Sequence, residues 1–370
     1  MENRLLDLLT QYGRALQQRL FPVLEEELGP LTEKHKQLVA VLGLAKIEAA
    51  IPSRRGQVGR PPRDRVSIAR AFVAKAVYNL PTTKVLLDLL GADSRLRRIC
   101  GFERVGDIPD ESTFSRAFEE FAAAEMPQRV HEALIASTQK DRLIGHINRD
   151  ATAIPARERV VKPAEAPKPV AEAQKKRRKR GEPKPAEEMT RIERQVAGMT
   201  LKEMLADLPQ QCAIGCKTNS QGRKETWRGY KLHLDVADGQ IPISCVLTAA
   251  STHDSQVAIP LATMTSERVT NLYDLMDSAY DCELIRKNSR ELGHLPIIER
   301  LERGKGLVEM APAEATRYNE RTTVERVNAR LKDEFGGRYV RVRGALKVMA
   351  HLMFGIIALA VDQILRLCPQ

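Results

Sequence analysis

Residues 317–335 read RYNERTTVERVNARLKDEF. Neither Gly nor Pro interrupts the run, and Gly336-Gly337 follow it, so one helix ending there is predicted. At about 100° per residue, Tyr318, Arg321, Glu325 and Lys332 fall within an arc of roughly 60°. Val324, Val327, Leu331 and Phe335 form a separate apolar stripe. One side can therefore pack on a core while a carboxylate, two cations and a phenol project together. The plainer reading is a solvated helix with an Arg321–Glu325 pair.

Two upstream aspartates weigh against the plainer reading. Asp150 ends the strand-like run 143–149, which continues through Ala151-Thr152-Ala153-Ile154, and Asp277 ends the strand-like run 271–276. Two carboxylates at strand ends and a Glu on a helix are what a two-metal phosphoryl-transfer site needs, because hard cations take oxygen ligands.

The spacing Tyr318-x2-Arg321-x3-Glu325-x6-Lys332 matches, without a gap, the signature around the last acidic residue of many bacterial insertion-sequence DDE transposases. The strands ending in Asp150 and Asp277 resemble that family's first two acidic positions. Residues 111–116, ESTFSR, resemble its N-terminal helical region, and His253-Asp254-Ser255 a stretch of its core. The resemblance spans about residues 60–155 and 226–365. It implies an α/β fold (α+β mixed): a ribonuclease-H-like catalytic core with an all-helical N-terminal DNA-binding region. It also implies two Mg²⁺ or Mn²⁺ ions on Asp150, Asp277 and Glu325, with Arg321 and Lys332 on phosphates and Tyr318 hydrogen-bonding nearby. A water and then a DNA 3′-hydroxyl would attack phosphorus in line, with no covalent protein–DNA intermediate. The implied partners are double-stranded DNA (the element's terminal inverted repeats and target DNA) and a second copy of the chain. The implied location is the bacterial cytoplasm, at the nucleoid. The other reading of the same resemblance is a domesticated or inactive relative that binds DNA without cutting it. A third is a structural chromosome-associated protein that ignores the carboxylates.

Composition agrees with a polyanionic partner: 370 residues carry a net charge of +11. The six cysteines are scattered, as in a reducing compartment. Cys212 and Cys216 have zinc-like spacing without a second pair at finger distance. Cys100, Cys245, Cys282 and Cys368 read as small core hydrophobes. The first twenty residues carry charges throughout and lack a signal-peptide core. The apolar run 348–367 includes His351, Asp362 and Arg366, so it reads as a buried helix rather than a membrane span.

Four regions follow. Residues 1–140 are a helical DNA-binding and association region: amphipathic helices to residue 50, a Pro/Gly/Arg linker at 51–64, then helices at 66–79, 84–90 and 111–121. Arg95, Arg97 and Arg98 mark a basic turn there, and Pro109–Thr113 supplies the last helix's cap. Helix-turn-helix reader and plain helical bundle both fit this region. Residues 141–156 and 201–340 are the catalytic core. It contains a hairpin at 228–248, a helix at 255–264 capped by Asp254, a helix at 281–292 and a strand at 295–298. Residues 157–200 are a Pro/Lys-rich insertion expected to lack structure. Its run Lys175, Lys176, Arg177, Arg178, Lys179 and Arg180 is a candidate DNA contact, or else a solubilising linker. Residues 341–370 form a helix packing on the core.

Three departures from the family pattern stand out. Ala151 and Ala279 replace a frequent Gly. The gap between Ile298 and Arg317 is short, whereas relatives that excise through a DNA hairpin carry a large strand-rich insert there. The only tryptophan, Trp227, lies away from where a flipped base would stack. Roles for Lys231, His233 and His253 near the site are open; each is also consistent with a structural residue.

Overall fold

The strand that carries Asp150 is longer than its sequence suggests: β1 runs Leu143–Pro155, so Asp150 lies inside it rather than at its end. It is the centre of the sheet in this computed structural model, which describes residues 2–52, 63–160, 189–218, 222–302 and 306–367. The other strands are β2 Ala213–Thr218, β3 Lys224–Ala237, β4 Ile241–Ala249, β5 Thr270–Met276 and β6 Leu295–Ile298. They pair in the order β4-β3-β1-β5-β6, with β2 on the first part of β3. β3 and β4 are antiparallel to their neighbours, while β1, β5 and β6 are mutually parallel. This is the mixed sheet expected of a ribonuclease-H-like core. β2 is absent from the sequence reading because AIGCKT has neither clean alternation nor a strong β-former run.

Among the described residues eight α-helices precede β1: α1 Glu2–Ala15, α2 Phe21–Leu28, α3 Glu33–Ala45, α4 Arg65–Val77, α5 Thr83–Ala92, α6 Ser94–Cys100, α7 Glu111–Ala123 and α8 Met126–Thr138. Asp110 caps α7 by accepting from Thr113 N at 2.7 Å. Arg95, Arg97 and Arg98 lie in α6, not in a turn, because Asp93 caps that segment by accepting from Arg95 N and Leu96 N. Their guanidinium groups hold the protein's own carbonyls, those of Pro30, of Leu90 and Gly91, and of Glu27 respectively.

Between β1 and β2 lie α9 Arg191–Val196 and α10 Leu201–Ala206. The end of the expected unstructured insertion is therefore helical. Thr190 and Glu193 form a capping box, and Arg191 and Arg194 both pair with Asp207. Residues 161–188, with the basic run 175–180, lie outside the described residues, as do 53–62 of the linker. α11 Ser255–Ser266 follows β4, and α12 Glu283–Glu291 follows β5. After β6 come α13 Pro312–Tyr318, α14 Thr322–Asp333 and α15 Ala345–Arg366.

The helix read across 317–335 is two helices joined by a 3₁₀ turn at Asn319–Arg321. Thr322 Oγ1 donates to Asn319 O at 3.1 Å, a local side-chain bond that competes with the regular helical ladder. Gly336, at φ 83, ends α14.

α15 is apolar all round, and fourteen of its residues are buried, too many for one face. It packs on α3, α4, α7 and α8 as well as on β4 and α14. The sequence assigns it to the core alone; instead one continuous apolar cluster runs from Leu9 through the sheet to Ile364. α15 is long and apolar enough to cross a membrane, yet 78% of that window is buried within the protein. It crosses α14 at Gly355, where a Cβ would sit 2.4 Å from Phe335 O. Only glycine allows that approach.

Arg149, beside Asp150 but on the opposite face of β1, is fully buried against Asp235. Its Nε and Nη2 donate to the two carboxylate oxygens at 2.8 and 2.7 Å. Thr265 Oγ1 adds a third bond to Asp235 at 2.7 Å. Arg149→Met would leave a buried carboxylate without its counter-charge and should cost about 3–5 kcal/mol. Denaturant titration reads this directly; a loss under about 1 kcal/mol would show that the pair does not anchor β1.

Candidate active site

β1 and β5 are parallel, with Asn148 opposite Leu275. Two residues further along each chain, on the same face, are Asp150 and Asp277. The register thus sets two carboxylates side by side where β5 ends. α14 packs over this face, with Val324, Val327 and Leu331 completely buried, as the predicted stripe requires. Glu325, in its first turn, is exposed and shares the Arg321 guanidinium with the two aspartates.

One guanidinium joins the three acids. Arg321 Nη1 lies 3.1 Å from Glu325 Oε1, and Nη2 lies 3.3 Å from Asp277 Oδ2 and 3.9 Å from Asp150 Oδ1. The 3₁₀ turn carries Arg321 into this position. Tyr318, half-buried one turn earlier, lies with its ring 6.0 Å from the guanidinium. α13 is held to the sheet by Arg317 over the Tyr273 ring at 4.4 Å.

Burial pushes the Asp150 carboxyl up to about 7 against the opposing pull of Arg321, with Asp277 and Asp254 adding to the rise. Burial also raises Asp277, again opposed by Arg321. A single guanidinium thus under-compensates the cluster. Lys332 is no solvated lysine: its Nζ donates to Thr152 Oγ1 at 2.5 Å, on the same face of β1 as Asp150.

The structure adds residues that the sequence reading missed. Asn328 is buried and its Nδ2 donates to Asp150 Oδ2 at 3.2 Å, while its Oδ1 has no partner. Its position, i+3 from Glu325 and i−4 from Lys332, was a usable signal. Asp254 does not cap α11; its side chain makes no such bond. It accepts instead from Lys231 Nζ at 2.9 Å and faces the acid cluster closely enough to raise both aspartates. His233 bonds Thr248 Oγ1 and lies 3.8 Å from Asp254, and His253 bonds Ser255 Oγ close enough to Asp277 to lower its pKa against the effect of burial. Trp227 donates to Tyr230 O and covers Gly215, away from the acids. Cys212 is buried and Cys216 exposed, and no zinc set forms around them among the described residues. Cys100 and Cys245 are buried, Cys282 is half-buried, and Cys368 lies outside the described residues.

Among the described residues no three acidic, His or Cys side chains stand close enough to chelate an ion as they are; Arg321 pairs with all three acids. The donor set nevertheless suits a hard divalent cation: three carboxylates, an orphaned amide oxygen and one positive charge among them.

Arg321→Met should destabilise the protein by roughly 1–3 kcal/mol in EDTA at pH 8, above the Asp150 value of about 7. The folded pKa values of Asp150 and Asp277 lie above ordinary carboxylate values, so folding takes up protons as pH falls through about 7. The repulsion then fades, and the loss should shrink towards pH 5.5. Melting curves at the two pH values check this; an equal loss at both would show that Arg321 does not neutralise the cluster.

Residues 209–361 match a family model described as "Transposase DDE domain", and residues 25–120 match one described as "Transposase domain (DUF772)". The first match takes in Asp277, Arg321, Glu325 and Lys332 but begins after Asp150, which joins them through the sheet register. No curated protein and no solved structure matches the chain. A DDE domain on a mixed α/β sheet, preceded by a helical transposase domain, places this chain among the insertion-sequence transposases.

Proposed function

We propose that the protein carries out metal-dependent cleavage and strand transfer of the ends of its insertion sequence, with Asp150, Asp277 and Glu325 as the catalytic acids. The observation that supports this most is their convergence, from segments far apart in the chain, on the Arg321 guanidinium. Bound Mg²⁺ or Mn²⁺ ions, two by analogy with such sites, would supply Lewis acidity to the attacking and leaving oxygens.

The chain's own residues do the rest. Asp150, Asp277 and Glu325 would hold the ions. Asn328 holds Asp150 in one rotamer. Arg321, freed from the acids, is a charge-assisted donor for a phosphate. Lys332, fixed by Thr152, is a point charge on the same face, placed to hold a flanking phosphate rather than to move a proton. Tyr318 keeps its proton, with its pKa raised to about 12 chiefly by burial, so it serves as a hydrogen-bond donor. The run Lys175–Arg180 would add sequence-independent affinity for duplex DNA. Two copies of the chain would pair the two ends, acting in the cytoplasm. The presence of all three acids with Lys332 disfavours a relative that only binds DNA.

Asp277→Asn and Glu325→Gln should each reduce cleavage of terminal-repeat DNA to background while retaining DNA binding. Wild-type cutting by Asp277→Asn would reject the assignment. Asn328→Leu keeps the acids but frees Asp150, and should cost roughly 10–100-fold in cleavage rate, as loss of a ligand's supporting hydrogen bond does. A rate equal to wild type would return Asn328 to a packing role.

A further inference from the structure

A cavity of about 630 Å³ opens between the N-terminal helices and the core, away from the acid cluster. It is walled by α4 and α7 on one side and by the segment between α14 and α15 on the other. Its ionisable lining is Lys75, Arg157, Arg341, Arg343, His351 and Glu111. His351 is held neutral, with its pKa lowered to about 3 by burial and then by Lys75, so four cations face one carboxylate.

Lys75 is the unusual member. It is 92% buried, and among the described residues its ammonium has no hydrogen bond and no ion pair. Its stem is buried while the ammonium itself reaches the cavity, an unusual place for a lysine without an ion-pair partner. Burial lowers its pKa to about 8, which still leaves it mostly protonated at neutral pH. The ammonium opens on the cavity, where a ligand with negative charge would meet it.

A second groove shares Arg157 and Arg343 with this cavity and adds Arg159 and Arg228. None of these arginines has an ion-pair partner among the described residues. Glu158, the acid of that groove, is already engaged by Tyr230 Oη at 2.8 Å and Gly344 N at 3.0 Å. The two spaces therefore form one basic tract. It is tied to the reaction centre by β1 itself, which carries Asp150 and leads, seven residues on, to Arg157. At about 3.3 Å per residue that is at most roughly 23 Å. With about 3.4 Å between phosphates along one strand of a duplex, it corresponds to some six or seven nucleotides.

We propose that this junction cavity is a second phosphate-binding subsite, in which Lys75, Arg157, Arg341 and Arg343 grip the DNA backbone a short distance from the cleaved bond. The proposal rests on the reading of the chain as a transposase acting on DNA. The cavity lies where the helical region meets the segment that follows the catalytic helix, so a backbone held there would fix the register of the duplex on the acids. The contacts are to phosphate and carry no sequence preference.

The test is Lys75→Met, which keeps the length and apolar stem of the side chain and removes the charge. Terminal-repeat duplex is titrated against wild type and variant across a salt series, alongside thermal melts. The variant should melt at or above the wild-type temperature, since the partly desolvated ammonium is gone and the apolar stem is kept. It should bind DNA roughly five- to tenfold more weakly at low salt, and its slope of log K against log salt should be shallower by about 0.9, one counterion fewer. Arg343→Ala should do the same without relying on a buried position. Unchanged slopes in both variants overturn the proposal while leaving the transposase reading intact. A wild-type protein with no salt-dependent binding overturns both. Inorganic phosphate is the probe for a free anion: if it raises the wild-type melting temperature but not that of Lys75→Met, and the DNA slopes are equal, the cavity serves a small anion and the DNA proposal falls.

Discussion

Carboxylates gathered around one point need a cation, and that constraint organises the sheet half of this protein. Asp150 and Asp277 are neighbours because β1 and β5 are parallel and in register, and Glu325 is brought over them by α14. Arg321 is the cation that pairs with all three. Its one charge is too little, which is why burial still wins over Coulomb attraction at Asp150 and raises its pKa to about 7. The arrangement is held together, yet it retains an unmet demand for positive charge.

The sheet can carry that repulsion because its opposite face is tied down. The Arg149–Asp235 pair lies one residue from Asp150 along β1 and is extended by Thr265 from α11. Alternation of side chains sends residue 149 into that layer and residue 150 into the site. On the site's face, the glycine at 355 lets α15 press against α14, whose apolar stripe then has nowhere else to go.

Much of this was readable from sequence where period and side-chain chemistry agree. The stripe Val324, Val327, Leu331 is buried because a 3.6-residue period leaves it one face to occupy, and β6 is short, apolar and bounded by turns. The 3₁₀ turn at Asn319–Arg321 was not readable: it depends on one threonine hydroxyl choosing a backbone carbonyl three residues back. Asp254 misled for a related reason. An aspartate before a helix is usually its cap, but Lys231, more than twenty residues earlier, competes for the same carboxylate and wins. Asp150 looked like a strand end because its charge interrupts an apolar run; pairing with β3 carries the strand through it. Composition likewise could not show that 191–196 would fold, since that depends on Asp207 and α11 as partners.

The helical region and the catalytic core share one apolar cluster, and this limits how the protein can respond to DNA. α15 contacts four helices of the first and both β4 and α14 of the second. A hinge between them would have to expose that surface at about 25 cal/mol per Å². The clamp at Asn79 tightens the same junction: its amide donates to Asp333 O at 2.6 Å and accepts from Gly336 N at 3.0 Å, so a residue just beyond α4 finishes the C-terminus of α14. Asn79 reaches both groups from a left-handed backbone conformation, φ 53, which asparagine tolerates better than most residues. Local movement is therefore easiest where side chains alone must change partners, and Arg321, at the crossing of the three acids, is such a side chain.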